Sequence, residues 1–239
     1  MNDSNMQHGE DASVATLHPY YPFGIELPGY VPNTMNAFDL VLRFAAGSAV
    51  VFLATLFVVK RCRPSISKAD ALAAMWFALC GCIHFFFEGY YAVNSFDMAS
   101  RTDLFGQLWK EYALSDSRYL IQDPFMVCME SVTALLWGPL SFALVYMIVA
   151  DHPLRHVFQL IVSVGQIYGD VLYYAICAYQ ELVNAVVYCR PEKFYFWAYY
   201  FLCNAFWIVI PLMLVIQSAC VISETFAKAK ASSLGKKSQ

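Results

Sequence analysis

The chain has 239 residues, of which 59% are hydrophobic and 14% are charged, and its formal net charge is −3. So apolar a composition excludes an ordinary soluble domain and indicates a protein that crosses a membrane several times. The small net charge, with no clustered basic face ahead of the C-terminal tail, argues against a nucleic-acid partner.

Residues 1–35 form a polar arm that contains prolines and glycines and lacks the apolar core of a cleavable signal peptide. We expect the first part of this arm to be disordered. From Leu17 to Pro32 the arm carries aromatic side chains among prolines that prevent a helix. This segment is therefore predicted to lie extended at the membrane interface.

Five long apolar runs follow, each long enough to cross a bilayer as a helix. They cover about 36–59, 70–93, 124–150, 154–178 and 194–222. The sequence thus predicts an all-α polytopic membrane protein with a bundle of five transmembrane helices over residues 36–222, followed by a basic tail over 223–239. No internal repeat relates the two halves of the chain, which disfavours a transporter built from inverted repeats.

The distribution of Lys and Arg predicts the orientation of the chain in the membrane. Four basic residues lie around the loop between the first two spans and four in the tail, whereas the arm before the first span has none. The N-terminus is therefore predicted to be lumenal and the C-terminus cytosolic, as an odd number of spans requires. Lys236 and Lys237 resemble the dilysine signal that returns membrane proteins to the endoplasmic reticulum.

The second span holds His84 and Glu88, which are four residues apart and lie on one face of a helix. A carboxylate in hydrocarbon costs about 2.5–3.5 kcal/mol on insertion scales, so such a pair normally faces the bundle interior. The pair is either a structural hydrogen bond between helices or a proton donor and acceptor in an apolar pocket. The rest of the chain favours the second interpretation.

Helical rise places polar groups of all five spans at a similar depth, about 9–15 Å below the side of the 93–124 loop. These groups are Arg43, His84, Glu130, Asp170 and Asn204. We expect Arg43 to be the charge partner of a carboxylate, because an unpaired arginine there would be costly. Interhelical packing alone explains Asp170, Arg43 and Gln166 well.

Three further observations indicate chemistry in this layer. Thr133 lies three residues after Glu130 and shares its helical face. Trp207 lies three residues after Asn204, and the face of its indole could stabilise a cation. Asn204 itself would orient a carboxyl group or bind a water. An apolar cavity with acids, a base and an indole suits a large apolar substrate and carbocation chemistry.

Other chemistries lack the residues that they need. No Gly-x-Gly-x-x-Gly sequence follows a strand, no nucleophile elbow is present, and the five histidines are too few for a membrane di-iron site. Six of the eight cysteines lie in apolar runs, so neither a disulfide framework nor a metal site can be argued. We therefore predict proton transfer with no cofactor and no metal.

Several blocks of sequence carry a family resemblance. They are Ile83-His84-x-x-x-Glu88-Gly89, Trp109-Lys110-Glu111-Tyr112, Asp116-Ser117-Arg118-Tyr119, Val127-Cys128-Met129-Glu130 with Thr133, Trp137-Gly138-Pro139-Leu140, residues 162–170 and Asn204-Ala205-x-Trp207. These blocks closely resemble the emopamil-binding protein family, whose members are sterol Δ8–Δ7 isomerases of the endoplasmic reticulum. The likeness covers residues 17–215 in the same order, and the loop around 180–193 departs from it.

The resemblance implies an active site and a class of ligands. The implied active-site residues are His84, Glu88, Glu130, Thr133, Asn204 and Trp207. The resemblance also implies tight binding of hydrophobic amines, because a protonated amine imitates a carbocation. We add Tyr119, Asp170, Phe87 and Met129 as candidate substrate-binding residues.

The resulting hypothesis is a 3β-hydroxysteroid Δ8–Δ7 isomerase of sterol biosynthesis. An acid, the His84–Glu88 pair, would protonate carbon 9 of the sterol, and Trp207 would stabilise the cation at carbon 8. Glu130, oriented by Thr133, would then remove a proton from carbon 7, although the acid and base could be exchanged. The 3β-hydroxyl should lie away from this layer, and no residue is assigned to it.

Two alternatives stay open. One is an isomerase or cyclase of the same fold that acts on another terpenoid, and the other is a non-catalytic membrane protein that binds sterols or amines. The expected partners are a sterol from the bilayer and hydrophobic cationic amines as inhibitors, with no nucleic acid. A homodimer also stays open.

Overall fold

A computed structural model describes residues 18–237 of the chain, with side chains as far as Leu234. The first part of the arm, which is expected to be disordered, lies outside this range. The side chains of Lys236 and Lys237 also lie outside the described part of the chain. Within the described range the chain is almost entirely helical, and it contains no β-strand.

Six helices of nine or more residues organise the described chain. They are α1 (Ala37–Cys62), α2 (Lys68–Asn94), α3 (Leu104–Tyr112), α4 (Pro124–Val149), α5 (Arg155–Asn184) and α6 (Tyr195–Leu234, with helical backbone reaching Lys237). All except α3 are long and apolar enough to cross a membrane. The predicted all-α fold with five membrane-spanning helices is therefore confirmed.

Side-chain caps fix where four of these helices begin. The side chains of Asn36, Ser67, Asp103 and Asp123 accept hydrogen bonds from backbone N–H groups in the first turns of α1, α2, α3 and α4. Such residues satisfy N–H groups that have no partner within the helix. In α4 the cap is followed directly by Pro124, which is well suited to the first helical position.

Three segments of the membrane helices are π-helical rather than α-helical. They are Ile83–Glu88 in α2, Thr133–Trp137 in α4 and Tyr195–Cys203 in α6. Single π-helical turns are rare and occur frequently at functional sites. The segments in α2 and α4 pack directly against each other. The irregular backbone thus lies where His84 and Glu88 sit.

Gly138 allows the close approach of these two segments. A Cβ atom at this position would lie 2.9 Å from the Cβ of Phe85 and 3.0 Å from its backbone nitrogen. Real Cβ atoms do not approach backbone so closely in packed interiors. The missing side chain therefore lets α4 lie against the backbone of α2 at the level of the His84–Glu88 pair.

The N-terminal arm packs on α3. Tyr20, Leu27 and Tyr30 are buried in a core that the arm shares with the connection between α2 and α4. The Tyr20 hydroxyl donates to the backbone carbonyl of Lys110 at 3.0 Å, and the Lys110 ammonium donates to the carbonyl of Val31 at 2.6 Å. These bonds hold the arm over one end of the bundle.

Arg43 departs from the prediction. Its side chain is exposed on α1, and within the described residues no ion pair joins it to a carboxyl group. The prediction that Arg43 pairs with the polar layer is therefore wrong. A long arginine side chain can extend along its helix and keep the guanidinium in a polar environment, so it needs no inward partner.

We predict that Gly138→Ala lowers the free energy of unfolding by about 1–3 kcal/mol, because the added methyl group overlaps Phe85. Thermal unfolding in detergent measures this effect. Gly47→Ala is the matched control, since no atom lies within 4 Å of a Cβ at this exposed helical position. Equal unfolding temperatures for the two variants would contradict the close packing of α2 and α4.

Candidate active site

A cavity of about 730 Å³ lies among the membrane helices, and α3 contributes to one end of it. Apolar side chains form most of its wall, and a few polar groups converge on it, as is typical of a site for an apolar small molecule. All ten residues predicted from the sequence line this cavity: His84, Phe87, Glu88, Tyr119, Met129, Glu130, Thr133, Asp170, Asn204 and Trp207. The sequence prediction and the geometry therefore select the same place.

His84 and Glu88 form a direct hydrogen bond across one turn of α2. Nδ1 of His84 lies 2.7 Å from Oε2 of Glu88, and the histidine is only 3% exposed. The two residues belong to the π-helical segment, which turns both side chains toward the cavity. The predicted titratable pair is thus present as a buried, hydrogen-bonded unit.

Gln166 occupies the other side of the histidine ring. Its amide Nε2 lies 3.1 Å from Nε2 of His84, so the amide donates and the imidazole nitrogen accepts. The remaining proton of the neutral imidazole is then on Nδ1, where it is donated to Glu88. Because both ring nitrogens are engaged, the carboxyl group of Glu88 is the part of the pair that is free to meet a ligand.

Sequence reasoning treated Gln166 as interhelical packing. The signal that could have identified it is its spacing, since it lies four residues before Asp170 and shares its helical face. Its oxygen Oε1 has no hydrogen-bond partner among the described residues. If the side-chain amide rotates by half a turn, this oxygen can accept a hydrogen bond from Nε2–H of a doubly protonated imidazole, so Gln166 suits both states of His84.

Glu130 is buried beside this pair, and Tyr119 holds it. The Tyr119 hydroxyl donates to Oε1 of Glu130 at 2.9 Å. Thr133 donates to the backbone carbonyl of Glu130 at 2.9 Å, while its hydroxyl lies 3.5 Å from Oε2. The carboxyl group of Glu130 is therefore positioned mainly by Tyr119. Thr133 contributes less to this position than the sequence predicts.

A buried ion pair fixes the position of Tyr119. The guanidinium of Arg118 donates two hydrogen bonds to Asp116, with Nη2 2.6 Å from Oδ2, and neither side chain is exposed. The same guanidinium lies over the ring of Tyr173, 5.1 Å from its centre. This pair lies outside the membrane helices and anchors the short 3₁₀ turn Ser117–Leu120, which carries Tyr119.

Two indoles form the wall on the far side of His84. The ring of Trp207 lies 6.4 Å from the imidazole ring, and the ring of Trp76 lies 5.4 Å from that of Trp207, between centroids. Both line the cavity. Trp207 was predicted, whereas Trp76 was missed because nothing in its surroundings on α2 distinguishes it from core packing.

Asn204 pairs with a tyrosine and not with a carboxyl group. Its amide nitrogen donates to the hydroxyl of Tyr112 at 3.0 Å and to the carbonyl of Tyr200 at 2.6 Å. Among the described residues Asn204 therefore orients no carboxyl group, and the alternative expectation, that it binds a water, stays a prediction. Tyr112 lies on α3, and no sequence pattern predicts that this short helix packs against α6.

Aromatic and acidic groups of α3 complete one end of the cavity. Phe87 stacks on Trp109 with ring centroids 4.5 Å apart, and Met129 packs among the same aromatic side chains. Glu111 also lines the cavity and accepts a hydrogen bond from the Tyr199 hydroxyl at 3.0 Å. Burial raises the pKa of the Glu111 carboxyl group above its ordinary value.

Comparison with known proteins finds relatives along most of the chain. The profile of the EBP family, described as EXPERA (EXPanded EBP superfamily), matches residues 104–218. A Rattus norvegicus protein named 3-beta-hydroxysteroid-Delta(8),Delta(7)-isomerase is 40% identical over 204 residues, which cover 84% of this chain and 87% of that protein. The Mus musculus protein of the same name is 38% identical over 203 residues, with the same coverage of both chains. A Citrus sinensis protein named protoglabretal synthase is 30% identical over 185 residues, covering 74% of this chain and 85% of its own.

We predict that Asp116→Ala lowers the free energy of unfolding by about 3–5 kcal/mol, because Arg118 would be left buried without its carboxylate. Chemical or thermal unfolding in detergent measures the loss. Glu192→Ala serves as control, since its ion pair with Arg190 lies at the surface, where water and salt screen it, and its loss should change the stability little. An Asp116→Ala protein as stable as the wild type would show that the pair does not anchor Tyr119.

Proposed function

Because the chain belongs to the EBP family of the expanded EBP superfamily, we propose that it is a 3β-hydroxysteroid Δ8–Δ7 isomerase. The reaction moves a double bond of the sterol rings from between carbons 8 and 9 to between carbons 7 and 8. The observation that carries the proposal is the cavity. The carboxyl groups of Glu88 and Glu130, the imidazole of His84 and the indoles of Trp76 and Trp207 are among the groups that line this one apolar space. These groups can donate and remove protons without a cofactor.

The acid is the His84–Glu88 pair. Glu88 lines the cavity and its Oε2 accepts a hydrogen bond from Nδ1 of His84, so in the reactive state the proton that reaches the substrate is carried on the other oxygen of the Glu88 carboxyl group. Its transfer to carbon 9 uses the electron pair of the double bond and leaves a cation at carbon 8. Gln166 is a positioning residue, because it holds the imidazole from its other nitrogen.

The base is Glu130, held by Tyr119. Removal of a proton from carbon 7 returns an electron pair to carbon 8 and forms the new double bond. Glu88 has then lost a proton and Glu130 has gained one. The two carboxyl groups lie close enough to interact, so a proton can return from Glu130 to Glu88 and restore the starting state.

The cation at carbon 8 is stabilised by the cavity itself. The π faces of Trp207 and Trp76 attract positive charge, and the ionised carboxyl group that remains after protonation lies nearby. The apolar wall also keeps out water, which would otherwise capture the cation. A hydrophobic amine with a protonated nitrogen imitates this intermediate, so we expect such amines to inhibit the enzyme.

We place the protein in the membrane of the endoplasmic reticulum, with a lumenal N-terminus and a cytosolic C-terminus. The five membrane-spanning helices require opposite sides for the two ends. Basic residues are concentrated around the α1–α2 loop and in the tail, which supports a cytosolic position for both.

A second candidate is an isomerase of the same fold that acts on another terpenoid. The match to the Citrus sinensis protein named protoglabretal synthase favours it. Both candidates use the same protonation of an alkene, so the catalytic groups do not separate them. The substrate that is turned over separates them, and a panel of Δ8 sterols and plant-type triterpenoids provides that test.

We predict that the purified protein, incubated with a Δ8 sterol in deuterated water, gives a Δ7 sterol with deuterium at carbon 9. Solvent deuterium reaches this carbon because the acid groups exchange their protons with water before each turnover. Mass spectrometry and NMR locate the label. Turnover of other terpenoids alone would select the second candidate, and binding without turnover of any of them would contradict an isomerase.

We predict that Glu130→Gln lowers kcat by about 10²–10⁴-fold, because the amide keeps the shape of the side chain and cannot act as a base. Circular dichroism and the unfolding temperature verify that the variant stays folded. Glu181→Gln, at an exposed position near the end of α5, is the control and should keep wild-type rates. Wild-type turnover by Glu130→Gln would remove Glu130 from the mechanism.

A further inference from the structure

Asp170 is a buried carboxyl group for which the reaction has no use. It lies on α5, is only 8% exposed and lines the cavity. Its oxygen Oδ2 is buried and has no hydrogen-bond partner among the described residues. Leaving such an acceptor unsatisfied is costly, so its position requires an explanation.

The other acidic side chains of the cavity are all paired. Within the described chain, Glu88 is bonded to His84, Glu130 to Tyr119 and Glu111 to Tyr199. Asp170 alone has no partner among the four acids that line the cavity. This contrast indicates that its hydrogen bond is completed by a ligand and not by the protein.

The position of Asp170 is fixed relative to the groups that transfer protons. It lies four residues after Gln166, which contacts the imidazole of His84. One such helical turn carries the chain about 6 Å along the axis. The contact of Gln166 with His84 puts Asp170 one turn beyond His84, at about the level of Glu88, because the second and fourth membrane-spanning helices run in the same direction.

Space for a ligand exists next to this carboxyl group. No atom lies within 4 Å of the point where a Cβ of Gly169 would be, and Gly169 lines the cavity, whereas one turn earlier the indole of Trp137 packs against Gly165. Between Gln166 and Tyr173, therefore, the backbone of α5 at Gly169 lies next to the cavity with no side chain in between. A flat ring can approach the helix here and bring a polar substituent to Asp170.

We propose that Asp170 binds the 3β-hydroxyl group of the substrate. This hydroxyl is the polar group of an otherwise apolar sterol, and Asp170 is the unpaired carboxyl group in the described wall of the cavity. The hydroxyl donates a hydrogen bond to the carboxylate and thereby fixes the ring system with carbon 9 near Glu88 and carbon 7 near Glu130. The inference rests on the proposed function, and it makes Asp170 the residue that selects 3β-hydroxy sterols.

The test compares two ligands in two proteins. Binding and turnover of a 3β-hydroxy Δ8 sterol and of its 3-deoxy analogue are measured with the wild type and with Asp170→Ala. A hydrogen bond to a charged group contributes about 1.5–3 kcal/mol, so the wild type should prefer the hydroxyl by about 10–100-fold in Kd and in kcat/KM. Asp170→Ala should lose this preference, mainly through weaker affinity for the hydroxylated sterol. Asp170→Asn, which keeps a neutral acceptor, should lose only part of it.

Controls separate a lost contact from a lost fold. Ser163→Ala alters a buried polar residue on α5 that does not line the cavity, and it should leave the preference for the hydroxyl unchanged. Asp170→Ala should still bind the 3-deoxy sterol with near wild-type Kd, which verifies that the cavity is intact.

The outcomes distinguish this inference from the proposed function. If Asp170→Ala loses the same factor with both sterols, or keeps the preference for the hydroxyl, the assignment of Asp170 is overturned while isomerase activity of the wild type stands. If the wild type turns over no Δ8 sterol but binds the 3β-hydroxy sterol more tightly, and only when Asp170 is present, the binding site stands and the isomerase proposal fails.

Discussion

The fold depends on one constraint, which is that titratable groups within an apolar bundle must satisfy one another. His84, Glu88 and Gln166 form a hydrogen-bonded series, and Tyr119 reaches in from the loop region to hold Glu130. Other features support this arrangement. The π-helical segments turn the side chains inward, Gly138 lets α4 lie against α2, and the buried Asp116–Arg118 pair anchors the turn that carries Tyr119.

Much of this arrangement could be predicted from the sequence because the membrane makes polar residues conspicuous. Apolar runs of sufficient length can cross a bilayer only as helices, so five runs predicted the five spans. Within them, His84 and Glu88 stood out because their spacing puts both on one helical face and their cost in hydrocarbon turns that face inward. The similar depth of Glu130, Asp170 and Asn204 along their helices then predicted that these side chains lie close together, and all three line the cavity.

What the sequence did not predict depends on neighbours in three dimensions. Depth does not determine the rotation of a helix, so Arg43 was placed with the others although it is exposed. A π-helical segment has no local signature and depends on the packing of α2 against α4. The sequence also does not show which side chains of neighbouring helices touch. For this reason the Gln166–His84 contact, the position of Trp76 in the cavity wall and the Tyr112–Asn204 bond were missed.

The central claim is that the carboxyl groups and indoles of one cavity stabilise a cation formed within a sterol. A structure of the protein with a hydrophobic tertiary amine bound tests it most directly, because the protonated nitrogen marks where positive charge is favoured. We predict that this nitrogen lies between Glu88 and Glu130 and against the face of Trp207. A nitrogen bound at the Glu111 end of the cavity, or outside the cavity, would contradict the account.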